Sequence, residues 1–310
     1  MKTIFFIFSF SRSGSTVLGQ KLNNHSKIHV INESGMFTLL GILKWKKLTP
    51  LKQGYLIWQH NKNKSQPIST EHVLKEPLSI DQFYHHIYSS SDSFLGEKTP
   101  TNLFYYHHIS ASFDNAKFIF LKRHPLAIAN SYFNRWYQAN FSDTFLIETV
   151  SVIKAYHREF SAIDKSHYIE LSYEELVNDS EGCLRAISNY LGCSFEISML
   201  QESADLFNKS PLKKYHQDVH KKLNTSHLES YKESFTPSQL DDLSYLLRNE
   251  ITSLGYTYAS ITEPSPRLIE LEKKIFRYQS KYQILFRKSV IYLKTLVSFF
   301  KFCIHHIFNR

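Results

Sequence analysis

Thr3-Ile4-Phe5-Phe6-Ile7-Phe8, running into Ser9-Phe10-Ser11-Arg12-Ser13-Gly14-Ser15-Thr16, decides the fold. The first six residues are rich in aromatic and β-branched side chains without alternation, as in a parallel strand buried on both faces. A short polar turn follows, then residues 15–24 with helical character. Strand, turn and helix in succession bring backbone N–H groups and hydroxyls together at a helix N-terminus, where an anion is held. The chain has only nine glycines in 310 residues, so one flanked by serines marks a place where the backbone must turn sharply or approach a ligand. The same string would also serve as a Ser-rich turn capping a helix. Met1 and Lys2 ahead of the apolar run imitate a signal peptide. The run ends by Ser9, Arg12 follows, and no small-residue cleavage pattern stands behind it, so a first core strand is expected instead.

Working outward, residues 28–31 read as a second strand and 36–60 as helical, with a polar surface loop from Asn61 to Thr70. Residues 117–122 form a third strand, after which Pro125 opens a helix containing Ser131. Residues 167–171 make another strand, followed by a helix through about Tyr190. Alternating strands and helices predict an α/β fold, a single domain over residues 1–260 whose central parallel sheet is flanked by helices. Ligands of such sheets bind beyond the carboxyl ends of the strands, so chemistry is expected just after residues 8, 31, 122 and 171.

Composition narrows the classes further. With 42% hydrophobic and 15% aromatic residues the chain fills a sizeable core, which excludes disorder and low complexity. Its net charge is +9, but ten Lys and Arg against two Glu over residues 265–310 account for +8, leaving +1 on the other 264 residues. A general nucleic-acid surface on the domain is therefore not expected. Within 265–310, Val290, Leu293, Val297, Phe300, Ile304 and Ile307 recur at spacings of three and four, with Arg287, Lys294, Ser298, Lys301 and His305 on another face. That predicts a basic amphipathic helical extension, suited to packing on the domain, on a second copy in a homodimer, or in the plane of an anionic membrane. Lys294 and Lys301 interrupt its apolar runs well short of the ~18 residues needed to span. Cys183, Cys193 and Cys303 have no framework or zinc-ligand spacing and point to a reducing compartment.

The loop departs from G-x-x-x-x-G-K-[ST], which ATP- and GTP-binding chains use. Ser9 stands at the first Gly position and Ser15 at the Lys position; only Gly14 and Thr16 match. Without that Lys a β/γ-phosphate loses its main countercharge, so an atypical P-loop kinase is the weaker alternative. Arg12-Ser13-Gly14-Ser15-Thr16 instead resembles the 5′-phosphosulfate loop of sulfotransferases that use 3′-phosphoadenosine 5′-phosphosulfate (PAPS). Arg123-His124-Pro125 with Ser131 eight residues after the Arg is similar to the family's 3′-phosphate site. Arg supplies a planar multi-donor cation there and Ser a hydroxyl from the adjoining helix. Arg135, one turn beyond Ser131, resembles a further phosphate-contacting Arg of the tyrosylprotein branch. Gly96-Glu97-Lys98-Thr99-Pro100 looks like the E-K-[ST]-P string of carbohydrate sulfotransferases, and Tyr173-Glu174-Glu175-Leu176 like a Y-E-[DE]-L segment. Leu254-Gly255-Tyr256 closes the likeness, which spans residues 3 to about 258.

The resemblance implies an enzyme that moves a sulfuryl group from PAPS to a hydroxyl acceptor by in-line displacement, without a metal. Glu33, 21 residues beyond Arg12 and after the second strand, matches the catalytic Glu of the tyrosylprotein enzymes and is the expected general base. A His base, as in the cytosolic aryl and steroid branch, stays open among His107, His108 and others of the 16 His. Arg12 and Lys98 are expected to neutralise the transferring and bridging oxygens, and Tyr173 to border the adenine or pack in the core. Lys213, Lys214, Lys221, Lys222 and Lys232 compete to close the donor site. The family's K-W or R-W appears here as Ser230-Tyr231-Lys232, which leaves that contact unassigned. A donor-binding, non-catalytic protein recruited to a membrane by its tail is a further alternative. Sugar, peptide Tyr, lipid and small-molecule acceptors all remain open, and cytoplasmic residence is expected, with the inner membrane face as a variant.

Overall fold

The computed structural model describes residues 2–61, 68–88, 93–201, 225, 228–257, 263–281, 295 and 297–303. Its centre is a five-stranded, wholly parallel sheet. In chain order come β1 (Thr3–Ser9), α1 (Ser15–Asn23), β2 (Ile28–Asn32), α2 (Met36–Leu43), β3 (Lys47–Leu48) and α3 (Pro50–Asn61). After them come β4 (Leu78–Ser79), α4 (Ile80–Ile87), β5 (Phe94–Lys98), a 3₁₀ turn (Pro100–Tyr105), α5 (Tyr106–Ser110), β6 (Lys117–Lys122), α6 (Pro125–Trp136), α7 (Asp143–Ser161) and β7 (Tyr168–Ser172). The described chain continues with α8 (Tyr173–Asn178), α9 (Ser180–Leu191), α10 (Tyr231–Ser234), α11 (Pro237–Leu246), α12 (Arg248–Ser253) and α13 (Pro266–Lys281). The sheet order is β2-β5-β1-β6-β7, with β3 and β4 forming a separate antiparallel pair.

The apolar run that opens the chain becomes the middle strand because both its faces are covered. Side chains alternate across a strand, so Phe6, Phe8 and Phe10 enter one core with Phe37, Tyr84, Phe118 and Phe120. Phe5 and Ile7 enter the other, with Leu18, Leu22, Ile119, Leu121, Leu184 and Ile187. Phe8 stacks on Phe118 at 5.5 Å, and Phe120 lies on Phe160 from α7.

Three differences from the sequence reading have physical causes. The expected helix over 36–60 is two helices: α2 stops at Leu43, where Lys44 takes left-handed backbone (φ 51°), and the chain passes through β3 before Pro50, suited to a first helical turn, opens α3. The helix expected after β7 breaks at Asp179, whose carboxylate accepts from the Gly182 N–H and starts α9. The third is β5, a strand not anticipated, which lies between β2 and β1. Phe94-Leu95-Gly96-Glu97-Lys98 has neither an apolar run nor a clean alternation, yet Glu97 and Lys98 are 0% and 1% exposed. Gly96 belongs there because the Phe5 ring fills the place of its side chain: an added Cβ would lie 2.3 Å from Phe5 Cζ.

The described part of the extension lies on the domain. Leu268, Leu271 and Ile275 of α13 are buried, the helix packs on α7, and Arg267 pairs with Asp143 and Asp242. Residues 297–303 lie over α3, with Phe299 against Tyr55 and Trp45 and Phe302 against Tyr55 and Trp58. Gln59 Nε2 donates to Ser298 Oγ at 2.6 Å. Val297 and Phe300, two members of the expected stripe, face outward; Val290, Leu293, Ile304 and Ile307 lie outside the described residues. Among the described residues no helix is long and apolar enough to cross a membrane.

Gly96→Ala is expected to lower the unfolding free energy by about 1–3 kcal/mol, the usual cost of overpacking a dense core. In urea titrations Phe5→Leu in the same chain should cost less than the sum of the two single changes, because the smaller side chain leaves room for the methyl.

Candidate active site

The loop after β1 is built from strained backbone. Arg12 has φ 71° and Gly14 φ 85°; the left-handed region suits Gly but is costly for Arg. Gly14 is required twice over, since a Cβ there would sit 2.2 Å from the Tyr173 ring. No side chain caps α1, so its first amides point out of the loop. The hydroxyls of Ser9 and Ser13 are fully buried and have no hydrogen-bond partner among the described residues. Orphan donors at a positive helix end make an anion cradle.

Beyond β6 stands the second group of residues. Arg123 donates through Nη1 to the Arg12 carbonyl at 3.0 Å, and its guanidinium lies 4.4 Å from the Tyr173 ring centroid. Ser131 on α6 accepts from Arg12 Nε at 2.9 Å. Thus the loop and the Arg123–Ser131 group, 119 residues apart at Arg12 and Ser131, are in direct contact. Burial first, and then repulsion from Arg135 and Arg123, holds the Arg12 guanidinium below its ordinary value; Tyr132 and Glu33 offset this only in part. Three arginines crowded together favour a multiply charged anion among them.

Lys98 ends β5, which pairs with β1 on one side and β2 on the other. Its ammonium donates to Thr16 Oγ1 at 2.9 Å and pairs with Glu33 Oε1 at 3.0 Å. The cation missing at Ser15 in the loop is therefore supplied by a neighbouring strand. Glu33 also occupies left-handed backbone, φ 53°, and its N–H donates to the Lys98 carbonyl at 2.6 Å. Its side chain is about a third exposed, so it has both a cationic partner and access to solvent.

Arg12, Ser13, Gly14, Ser15, Thr16, Glu33, Arg123, Ser131, Arg135 and Tyr173 all belong to the carboxyl-edge loops or to α1, α6 and α8, which begin there, and Lys98 is the last residue of β5. The geometry brings Tyr173 between Gly14 and Arg123. His107 is exposed on α5 beside Tyr106, and His108 lies near Trp45 and Lys46. Lys213, Lys214, Lys221 and Lys222 lie outside the described residues; Lys232 is exposed and pairs with Glu229. Residues to which the sequence gave no role also converge here. Tyr231 stacks on His124 at 5.0 Å, Tyr256 packs on the same imidazole, and Glu174 accepts from both the His124 N–H and Tyr256 Oη. Trp136, 48% exposed, lies beside Tyr132 with Arg12 6.0 Å from its ring centroid. His124, Glu174, Tyr231 and Tyr256 each lie within a string singled out in the sequence, but none of those strings says that the four meet; Trp136 lies in none.

A parallel sheet with a loop of buried, unpartnered hydroxyls after its central strand, arginines after the next strand and a Lys–Glu pair beside them has the make-up of a group-transfer site for an anionic donor. The family model described as the sulfotransferase family matches residues 5–197, and the chain belongs to that family. It is a sulfotransferase that moves a sulfuryl group to a hydroxyl acceptor. The sulfotransferase domain from the olefin synthase of Synechococcus PCC 7002 has a similar fold, with TM-score 0.60 at 20% identity over 84% of this chain and 98% of that one. The sulfotransferase domain from the curacin biosynthetic pathway has TM-score 0.59 at 20% identity, over 84% and 99%. No curated protein sequence matches the chain. Membership of the family decides between sulfuryl transfer and the kinase alternative.

His124 tests the site's scaffold. Its Nδ1 accepts from the Leu126 N–H at 3.2 Å, capping α6 as a neutral imidazole, and burial holds its pKa below the ordinary 6.5. The unfolded chain thus binds this proton more readily, and stability is lost as pH falls from 6.5 through the folded value. His124→Asn keeps a capping oxygen without the titration. Thermal melts between pH 7.5 and 5 should show a shallower fall for the variant.

Proposed function

We propose that the donor is PAPS, with one phosphate end in the Arg12–Thr16 loop and the other at Arg123, Ser131 and Arg135. The observation that carries this is the direct meeting of the two groups at Arg12 and Ser131, which puts both within the span of one nucleotide. The orphan hydroxyls of Ser9 and Ser13 and the orphan Nε of Arg123 supply further buried donors. Tyr173, held by Gly14 and Arg123, sets the relative position of the two groups.

The donor supplies a sulfuryl group on a phosphate leaving group. Glu33 accepts the acceptor hydroxyl's proton, and its partial exposure leaves room for that hydroxyl to approach. Lys98 and Arg12 neutralise charge on the transferring and departing oxygens, where removal of one such donor typically costs about 10²–10³ in rate. The Lys98–Glu33 contact keeps the carboxylate aimed until the acceptor arrives. Cytoplasmic residence belongs to the same proposal, supported by the free thiols of Cys183, Cys193 and Cys303. The acceptor's class, whether sugar, peptide Tyr, lipid or small molecule, is a question for a screen with labelled donor.

Calorimetric titration with adenosine 3′,5′-bisphosphate should show tight binding, unchanged by EDTA. Arg123→Ala should weaken it about 10- to 150-fold, the equivalent of about 1.5–3 kcal/mol for contacts to a charged group. Glu33→Gln should leave this affinity in place and lower kcat about 10²–10⁴-fold. Absence of binding, or a requirement for ATP and Mg²⁺, would overturn the proposal.

A further inference from the structure

Glu97 is a carboxylate with no water contact, in the middle of the sheet and beside the site. Its Oε1 accepts from Thr99 Oγ1 at 2.6 Å, Ser34 Oγ at 2.7 Å and the Ser34 N–H at 3.3 Å. Its Oε2 accepts from Asn102 Nδ2. An ionised carboxylate in such a place is sustained only by dense, charge-assisted hydrogen bonding. An apolar residue would fill a strand interior at lower cost, so the identity of what the four bonds hold is informative.

Ser34 directly follows Glu33, and Thr99 directly follows Lys98. Oε1 of Glu97 therefore grips the chain immediately beyond each member of the Lys98–Glu33 pair, while Oε2 holds Asn102. Asn102 extends the grip, because its Oδ1 accepts from Thr38 Oγ1 on α2, the helix that the Glu33 loop leads into. That loop needs restraint: Glu33 and Gly35 both have positive φ, 53° and 68°, and non-glycine backbone persists there only when its surroundings over-determine it. Side chains alternate along β5, so Lys98 reaches Thr16 of α1 on one face while Glu97 points to the other, among Ser34, Thr99 and Asn102. Glu97 is thus kept from the reacting groups by the sheet itself.

We propose that Glu97 is a positioning residue for sulfuryl transfer, a buried anionic clamp that sets the Glu33 carboxylate against the Lys98 ammonium by fixing the residues that follow them. The inference rests on Glu33 acting as the base. Misplacement of a catalytic group by about an ångström can cost on the order of 10²-fold in rate. Glu97→Gln preserves size but turns one accepting oxygen into an NH₂ that faces donors.

The test is a double-mutant cycle with labelled donor, joined to calorimetry with adenosine 3′,5′-bisphosphate. Glu97→Gln should lower kcat about 10- to 100-fold, with bisphosphate affinity held within about threefold. In the Glu33→Gln background it should have little further effect, since its object is already gone. Ser34→Ala, which removes one grip and leaves the buried carboxylate in place, should reproduce the pattern in weaker form should Glu97→Gln fold poorly. Unchanged kcat, or an equal fold-loss in both backgrounds, would overturn the clamp and make Glu97 merely structural. If Glu33→Gln alone is without effect, the base assignment falls instead, and the clamp is judged in the Lys98→Ala background by the same non-additivity.

Discussion

An ammonium group almost wholly removed from water, Lys98, is the point on which the site depends. The loop after β1 lacks the lysine that a nucleotide triphosphate loop would carry, so its countercharge must come from a strand alongside. The sheet order β2-β5-β1 makes this available, because Lys98 pairs in register with Ile7 on one side and Asn32 on the other. Its ammonium therefore emerges between the loop and the residue after β2. Burying one charge makes a partner obligatory, and Glu33 is that partner.

Around this pair the protein spends conformational strain at chosen places. Arg12, Glu33 and Gly14 all sit in left-handed backbone at the ends of β1 and β2. Each is braced: Arg12 by Ser131 and by Arg123 on its carbonyl, Glu33 by Lys98, Gly14 by the Tyr173 ring. The arginines repel one another and are partly desolvated, an arrangement that is unfavourable by itself and favourable around an anion. A site preorganised in this way gives up stability in exchange for charge complementarity with what binds there.

Much of the candidate site was legible in the chain because its parts are local. Arg12 to Thr16 form a contiguous turn, and Arg123 with Ser131 spans a strand end and two helical turns. Glu33 stands just past a recognisable strand. The aromatic cradle of His124, Tyr231 and Tyr256 could not be read, since it joins residues more than a hundred positions apart whose types also fit an ordinary core. Strand β5 escaped for a related reason. Its two charged residues and its glycine are unfavourable for a buried strand in isolation and become favourable only beside Glu33, Ser34, Thr99, Asn102 and the Phe5 ring.

By itself the sequence determined the parallel α/β class and the family, and singled out the loop after β1 and the Arg123–Ser131 segment as candidate site parts, because hydrophobic period and short-range motifs are properties of neighbouring residues. Tertiary structure alone decided that Lys98 stands in for the absent loop lysine, that Glu97 lies under it on the opposite face, and which side of the C-terminal segment meets α3. Those outcomes depend on strand order, register and the desolvation of charge. Such quantities do not exist until distant segments are brought together.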